Sequence, residues 1–172
     1  MRRSSAGTIL VGLVVCVLGA VTASPALANN DPHRVFLPAG PVDLPVGFCR
    51  FPTHYEVVAN KEYGKITTLS DGTLIIRETG ALKLRATNVR SGKSVLLNAS
   101  GPGTITIYPD GSLTIDGTGH WLLFNLAADA ASFGLPAVIL TSGHVHQALD
   151  PAATPIALSV TGHVTDVCAA LG

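Results

Sequence analysis

The fold is decided by a ten-residue stretch that occurs twice. It reads Asp71-Gly72-Thr73-Leu74-Ile75-Ile76-Arg77-Glu78-Thr79-Gly80 and returns 39 residues later as Asp110-Gly111-Ser112-Leu113-Thr114-Ile115-Asp116-Gly117-Thr118-Gly119. In each copy an Asp-Gly pair, which favours a tight turn, precedes a β-branched-rich segment with a period of two. In the second copy Leu113 and Ile115 alternate with polar residues, and in the first Leu74 and Ile76 alternate with Thr73, Ile75 and Arg77. Such an alternation is typical of a β-strand with one buried face. We therefore predict that the same hairpin geometry is used twice in a sheet.

The alternating pattern continues on both sides of the repeated stretch, at positions 82–87, 104–107 and 156–165. Turn signals at this spacing indicate antiparallel strands. We predict an all-β fold, an antiparallel sandwich or barrel of roughly 8–11 short strands. At most one short helix is expected, in the alanine-rich segment 125–133, because Gly134 and Pro136 would end it.

The N-terminus has the three parts of a secretory signal peptide. Arg2 and Arg3 precede an apolar run at 9–21, and Ala26-Leu27-Ala28 forms a small-x-small cleavage site. The run has about 13 residues, whereas a membrane span needs about 20. We predict a signal peptide over 1–28, an extended lead-in over 29–45 and a single β-domain over 46–172. Cleavage after Ala23 is the alternative. The protein is then secreted, to the extracellular space or the cell envelope, with no membrane span after signal removal.

Composition excludes two broad classes of protein. The 172 residues contain 11 basic and 11 acidic side chains, and 47% of residues are hydrophobic. Without residues 1–28 the chain keeps 9 basic and 11 acidic side chains, a net charge of −2. A strongly basic nucleic-acid binder is therefore excluded, and no nucleic-acid partner is expected. The hydrophobic content also argues against a disordered chain.

Two cysteines remain after the signal peptide, Cys49 and Cys168. Two cysteines in an exported chain predict one disulfide, which would tie the start of the domain to its end. The alternative is two separate buried thiols.

His144 and His146 are the strongest candidates for metal ligands. Residues two apart on a strand share a face, so both imidazoles could bind one zinc or copper ion, with His120 or His163 as a third ligand. Against this, Val145 and Leu149 resemble the core face of the strand, which would leave both histidines in solvent. We expect the domain to need no cofactor. Trp121 and Tyr108 are candidates for an exposed aromatic surface that binds a sugar or another ligand.

Several short segments resemble a group of small secreted proteins from actinobacteria. They are 48–52 (Phe-Cys-Arg-Phe-Pro), 60–62 (Asn-Lys-Glu), 87–88 (Thr-Asn) with 91–93 (Ser-Gly-Lys), 100–103 (Ser-Gly-Pro-Gly) and the ending 166–171, which contains Asp-Val-Cys. The resemblance spans most of the chain after the signal peptide. It implies export, a disulfide and an all-β fold. It implies no activity, because none is established for the group.

These observations favour a disulfide-closed extracellular β-domain without enzymatic activity. Its partner would be a glycan, a small ligand or another protein, and an association with the cell envelope fits equally. The alternative is a small β-barrel enzyme or ligand carrier that uses the histidines. That alternative requires at least two of the histidines to converge with a carboxylate.

Overall fold

The computed structural model describes residues 33–172, so the predicted signal peptide over 1–28 lies outside the described residues. Within 33–172 the chain forms twelve strands and two short helices. In chain order they are β1 Val35–Phe36, β2 Val42–Leu44, β3 Thr53–Asn60, β4 Tyr63–Thr68, β5 Leu74–Thr79, β6 Leu82–Asn88, β7 Ser94–Asn98, β8 Gly103–Ile107, β9 Leu113–Gly119, β10 Leu122–Phe124, α1 Ala127–Ser132, β11 Val138–Leu149, β12 Pro155–Asp166 and α2 Val167–Leu171.

The strands form two antiparallel sheets in a sandwich-like arrangement, which confirms the predicted all-β class. The larger sheet, sheet A, has eight strands in the order β1-β4-β5-β8-β9-β11-β10, with β12 on the other edge of β11. The smaller sheet, sheet B, has the order β2-β3-β6-β7. The strand β11 is 12 residues long and organises sheet A, because its first part pairs with β10, its second part with β9 and nearly all of it with β12.

The repeated stretch forms the same hairpin twice, as its sequence predicts. In the turn between β4 and β5, the Leu69 amide donates to the Thr73 carbonyl and the Gly72 amide donates to the Leu69 carbonyl. The turn between β8 and β9 repeats both bonds with Tyr108, Ser112 and Gly111. The glycines have φ angles of 89° and 88°, which a residue without Cβ adopts at little cost.

A third hairpin, between β11 and β12, uses the same turn without a glycine. The Asp150 amide donates to the Thr154 carbonyl, and the Ala153 amide donates to the Asp150 carbonyl. Ala153 therefore takes the position of Gly72 and Gly111, with φ at 62°. The Asp150 carboxylate stabilises the turn by accepting from the amides of Ala152 and Thr154.

The lead-in over 29–45, for which the sequence predicts extended chain with a short strand at 34–37, joins both sheets from residue 35 onward. Strand β1 pairs with β4, and β2 pairs with β3. Both strands are too short, at 2 and 3 residues, to show an alternating pattern in the sequence. Pairing with longer neighbours supplies the hydrogen bonds that order them.

The second helix, α2, corrects the prediction of at most one short helix. The Asp166 side chain caps it by accepting from the Ala169 amide. Val167 and Leu171, four residues apart, are both fully buried. This contact with the core makes a helix of five residues stable despite its length.

The core consists of two hydrophobic clusters, which lie on opposite faces of the start of β11. Val138 belongs to the cluster beneath sheet B, whereas Ile139 belongs to the cluster beneath the second half of sheet A. The predicted disulfide is present between Cys49 and Cys168, with the Cα atoms 5.5 Å apart. It attaches α2 to the first of these clusters.

Candidate functional site

The outward face of sheet A carries one continuous row of polar side chains, one from each of six neighbouring strands. Directly paired residues of an antiparallel sheet point to the same face. The register joins six such residues in turn, and we call them the charged row: Lys65, Arg77, Thr104, Asp116, His146 and Ser159. Neighbouring strands lie about 4.8 Å apart, so the row crosses roughly 24 Å of surface.

A shallow groove of about 580 Å³ runs along one part of the charged row. The groove is lined by members of the charged row and by residues next to them on the same strands. Its basic and polar residues are Arg34, Lys65, Arg77, Thr79, Thr104, Thr118 and His144, and its acidic residues are Glu78 and Asp116. The backbone at Gly103 and Gly117 also lines it. Among the described residues, the hydroxyls of Thr104 and Thr118 have no hydrogen-bond partner within the protein, so they are available to a ligand.

The cations of the groove are not neutralised by carboxylates. Lys65 lies directly opposite Arg77, and both side chains are exposed. The ion pairs within residues 33–172 are His54–Asp43, Arg85–Glu56 and His146–Asp116, so neither Lys65 nor Arg77 has an acidic partner there.

Arg34 is held in place by the backbone. One guanidinium nitrogen donates to the Tyr63 carbonyl at 2.8 Å and to the Thr79 carbonyl at 3.2 Å. These contacts fix a third positive charge at the same end of the groove without cancelling it.

Asp116 and His146 form the one ion pair of the charged row. The Asp116 carboxylate lies 2.7 Å from His146 Nδ1, across the β9–β11 ladder. Ser159 faces His146 from β12, which gives the order Asp, His, Ser along the row. Within the described residues, however, no hydrogen bond joins Ser159 to His146. The same kind of cross-strand pair occurs at Asp43 and His54 of sheet B, also at 2.7 Å. An Asp–His pair can therefore link two neighbouring strands without taking part in catalysis.

Glu78 is a partly buried carboxyl group beside the charged row. It follows Arg77 on β5 and belongs to the inward face of sheet A, opposite Gly103 and Gly64. Burial, together with the negative charge of Glu62, raises the pKa of Glu78 to about 7. Burial raises the pKa of Glu62 as well. The two carboxyl groups therefore cannot both ionise freely at neutral pH.

The predicted metal ligands are only partly brought together. His144 and His146 share the outward face of β11, because Val145 and Leu149 are buried at 0% and 3% exposure. Between residues 33 and 172, no group of three or more His, Cys, Asp or Glu side chains could hold a metal ion. His120, which follows β9, therefore does not complete a site with the two histidines, and neither does His163 of β12.

The predicted aromatic surface is corrected by the position of Trp121. Its side chain is only 8% exposed, whereas Tyr108 is 41% exposed in the turn between β8 and β9. The indole packs against the inner side of Gly103 and Gly117, where a Cβ atom would overlap its ring. Glycines within strands indicate a close approach of this kind, so the sequence did carry a signal for a buried tryptophan.

Apart from His144, the groove residues were missed because they come from distant parts of the chain. Arg77 and Asp116 are separated by 39 residues, and His146 lies 30 residues beyond Asp116. Only the strand register makes them neighbours.

No helix in the part of the chain that the structure describes is long and apolar enough to span a membrane. Comparisons with protein-family models, curated proteins and solved structures find no match to this chain.

Proposed function

We propose that this chain is an exported, non-enzymatic binding domain that holds a carbohydrate in the groove of sheet A. The observation that carries the proposal is the groove itself. It has a volume of about 580 Å³, is open to solvent, and is lined by charged groups and by threonine hydroxyls that form no hydrogen bond within the described residues. Sugars present many hydroxyls, so a surface of fixed donors and acceptors suits them. The rigid antiparallel ladder holds these groups in position without a ligand.

The disulfide supports the proposed location outside the cell. Disulfides persist in oxidising compartments and are rare in reducing ones. The Cys49–Cys168 bond fits the signal-peptide pattern of residues 1–28, although the two rest on separate observations. Mass spectrometry of protein from a culture supernatant tests this point. We expect a chain that starts at Asn29, and a chain that starts at Met1 would contradict export by this signal.

Binding is favoured over catalysis by the shape of the site. The charged row lies on the outward face of a sheet, where the Asp116 and His146 side chains are 52% and 37% exposed. Acid–base and nucleophilic catalysis gain most from a water-excluded site, because charge stabilisation weakens in water.

The order Asp116, His146, Ser159 favours one second candidate, a hydrolase of acyl groups. His146 would take the hydroxyl proton of Ser159 as general base, and Asp116 would orient the imidazole. A fluorophosphonate probe tests this candidate. Covalent labelling that Ser159→Ala abolishes and His146→Gln reduces would establish it, whereas no labelling removes it.

The binding function is tested by native gel electrophoresis through a panel of neutral and anionic polysaccharides. We expect at least one polysaccharide to retard the protein. Thr104→Tyr should restore free migration, because the larger side chain fills the groove without changing its charge. The matched control is Thr87→Tyr on the outward face of sheet B, which should remain retarded. No retardation by any polysaccharide, or equal retardation of Thr104→Tyr, would contradict the proposal.

A further inference from the structure

The pair Lys65 and Arg77 works against the stability of the sheet. Like charges placed directly opposite each other on an antiparallel pair repel. No carboxylate within residues 33–172 forms an ion pair with either of them. Arg34 adds a third cation at the same end of the groove, fixed by the carbonyls of Tyr63 and Thr79.

This concentration of charge is local. The ten acidic side chains of residues 33–172 outnumber the nine basic ones, yet three unneutralised cations line one end of a single groove. Two carboxyl groups line the same groove, Asp116 and Glu78, but they offset the cations little. Asp116 is engaged by His146, and the pKa of Glu78 is raised to about 7 by burial and by Glu62. Residues that cost stability and form one surface patch are typical of a binding site.

We propose that the groove binds an anionic polysaccharide, with an acidic group of the sugar held between Lys65 and Arg77 and the neighbouring sugar hydroxyls on Thr104 and Thr118. This inference rests on the proposed binding function and names its ligand class. The acidic group is a carboxylate, sulfate or phosphate, because a guanidinium offers two parallel N–H donors to any of them. Arg34 is placed to receive a second acidic group further along the chain of sugars.

The chemistry of the groove fits a polysaccharide better than a nucleic acid. Single-stranded nucleic acids are held by stacking on aromatic side chains along a track of cations. The groove lining contains no Phe, Tyr or Trp side chain, and His144 is its one aromatic ring. The single tryptophan lies beneath the floor, on the inner side of Gly103 and Gly117. The groove instead offers threonine hydroxyls and three cations. These groups complement a polysaccharide, which carries hydroxyls and acidic groups.

The experiment measures the fluorescence anisotropy of labelled oligosaccharides with the full disulfide-bonded protein. The first probe is oligogalacturonate, and its matched neutral control is the same oligosaccharide with methyl-esterified carboxylates. A sulfated oligosaccharide distinguishes the kind of acidic group. Inorganic phosphate as a competitor distinguishes a polymer from a free anion, and an oligothymidylate distinguishes a sugar from a nucleic acid.

Three variants assign the binding to the groove. Lys65→Thr and Arg77→Thr each remove one cation and keep a residue suited to a strand, and Lys83→Thr is the matched control. Lys83 is also exposed on a strand and lacks an ion pair among the described residues, but it lies on the outward face of sheet B. Loss of the Lys65–Arg77 repulsion should leave the thermal midpoint of either groove variant equal to that of the wild type or higher. A loss of binding therefore cannot be attributed to unfolding.

We expect the acidic probe, uronate or sulfate, to bind at least about tenfold more tightly than the neutral one. Each groove variant should weaken this binding by about tenfold, and Lys83→Thr should leave it unchanged. Equal affinity for the methyl ester would overturn the anionic ligand while leaving the binding function intact. Equal affinity for oligothymidylate or for inorganic phosphate, or an equal loss in Lys83→Thr, would overturn the inference as well. Absence of binding to every oligosaccharide would overturn both the inference and the proposed function.

Discussion

Ala153 occupies in the β11–β12 turn the position that Gly111 occupies in the β8–β9 turn, and both have a positive φ angle, 62° and 88°. An alanine pays a steric cost there because its Cβ approaches the backbone. We predict that Ala153→Gly raises the free energy of unfolding by about 0.5–1 kcal/mol and that Gly111→Ala lowers it by about 1 kcal/mol. Urea unfolding of the two variants measures both. Two changes of the same sign would contradict the equivalence of the turns.

The floor of the groove depends on glycines that accommodate Trp121. A Cβ at Gly103 would overlap the indole. We predict that Gly103→Ala lowers the free energy of unfolding by about 1–3 kcal/mol, because the ring or the strand must move. The matched control is Gly40→Ala, where a Cβ would meet nothing within 4 Å. Since Trp121 is the only tryptophan, its fluorescence follows the unfolding of this region directly. An unchanged midpoint for Gly103→Ala would mean that the indole does not pack there.

The carboxyl pair should make stability depend on pH. The pKa of Glu78 is raised to about 7 in the folded protein, above its ordinary value of 4.5, so the folded state holds a proton that the unfolded state releases. The contribution of protonated Glu78 to the free energy of unfolding is therefore fully present below about pH 4.5 and is lost as the pH rises through 7. We predict that the free energy of unfolding falls by about 2–3 kcal/mol between pH 5 and pH 8. Urea unfolding at the two pH values measures this fall.

Two variants separate the causes of this pH dependence. Glu78→Gln should remove the fall and stabilise the protein at pH 8. Glu62→Gln should reduce it, because the charge that helps to raise the Glu78 pKa is gone. A wild-type protein with equal stability at pH 5 and pH 8 would show that Glu78 is not buried as described.

The disulfide closes a loop with a sequence separation of 119 residues. Restricting so long a loop in the unfolded chain gives about 5 kcal/mol in the chain-entropy account. We predict that the free energy of unfolding of the double variant Cys49→Ala, Cys168→Ala is lower than that of the wild type by about 4–5 kcal/mol, as measured by guanidinium unfolding. Wild-type protein held under reductant should show a similar loss. If removal of both cysteines costs less than about 1 kcal/mol, the loop is already constrained in the unfolded state.

The sequence predicted those parts of the fold that depend on neighbouring residues. The alternation of Leu113, Ile115 and their polar neighbours gave β9, and the Asp-Gly pairs gave its turn and the equivalent turn before β5. The helix predicted within 125–133 is α1, Ala127–Ser132. These features are local because a turn or an amphipathic strand is specified by a few consecutive side chains.

What the sequence could not predict depends on which strands pair. The neighbours of Arg77 in sheet A are Lys65 and Thr104, and no pattern in the sequence assigns β8 to the edge of β5. The groove exists only because of this pairing. Trp121 illustrates the same difficulty, since glycines within strands indicate a close approach but do not say which side chain packs against Gly103 and Gly117.

The claim that the outward face of sheet A is the ligand surface is tested most directly by NMR chemical-shift mapping. The measurement follows the backbone amides of the labelled, disulfide-bonded protein during a titration with oligogalacturonate. We predict that the largest shifts lie on β4, β5, β8 and β9, around Lys65, Arg77 and Thr104, while the amides of β6 around Lys83 and Arg85 remain unchanged. Shifts centred on sheet B, or none at saturating oligosaccharide, would contradict the account.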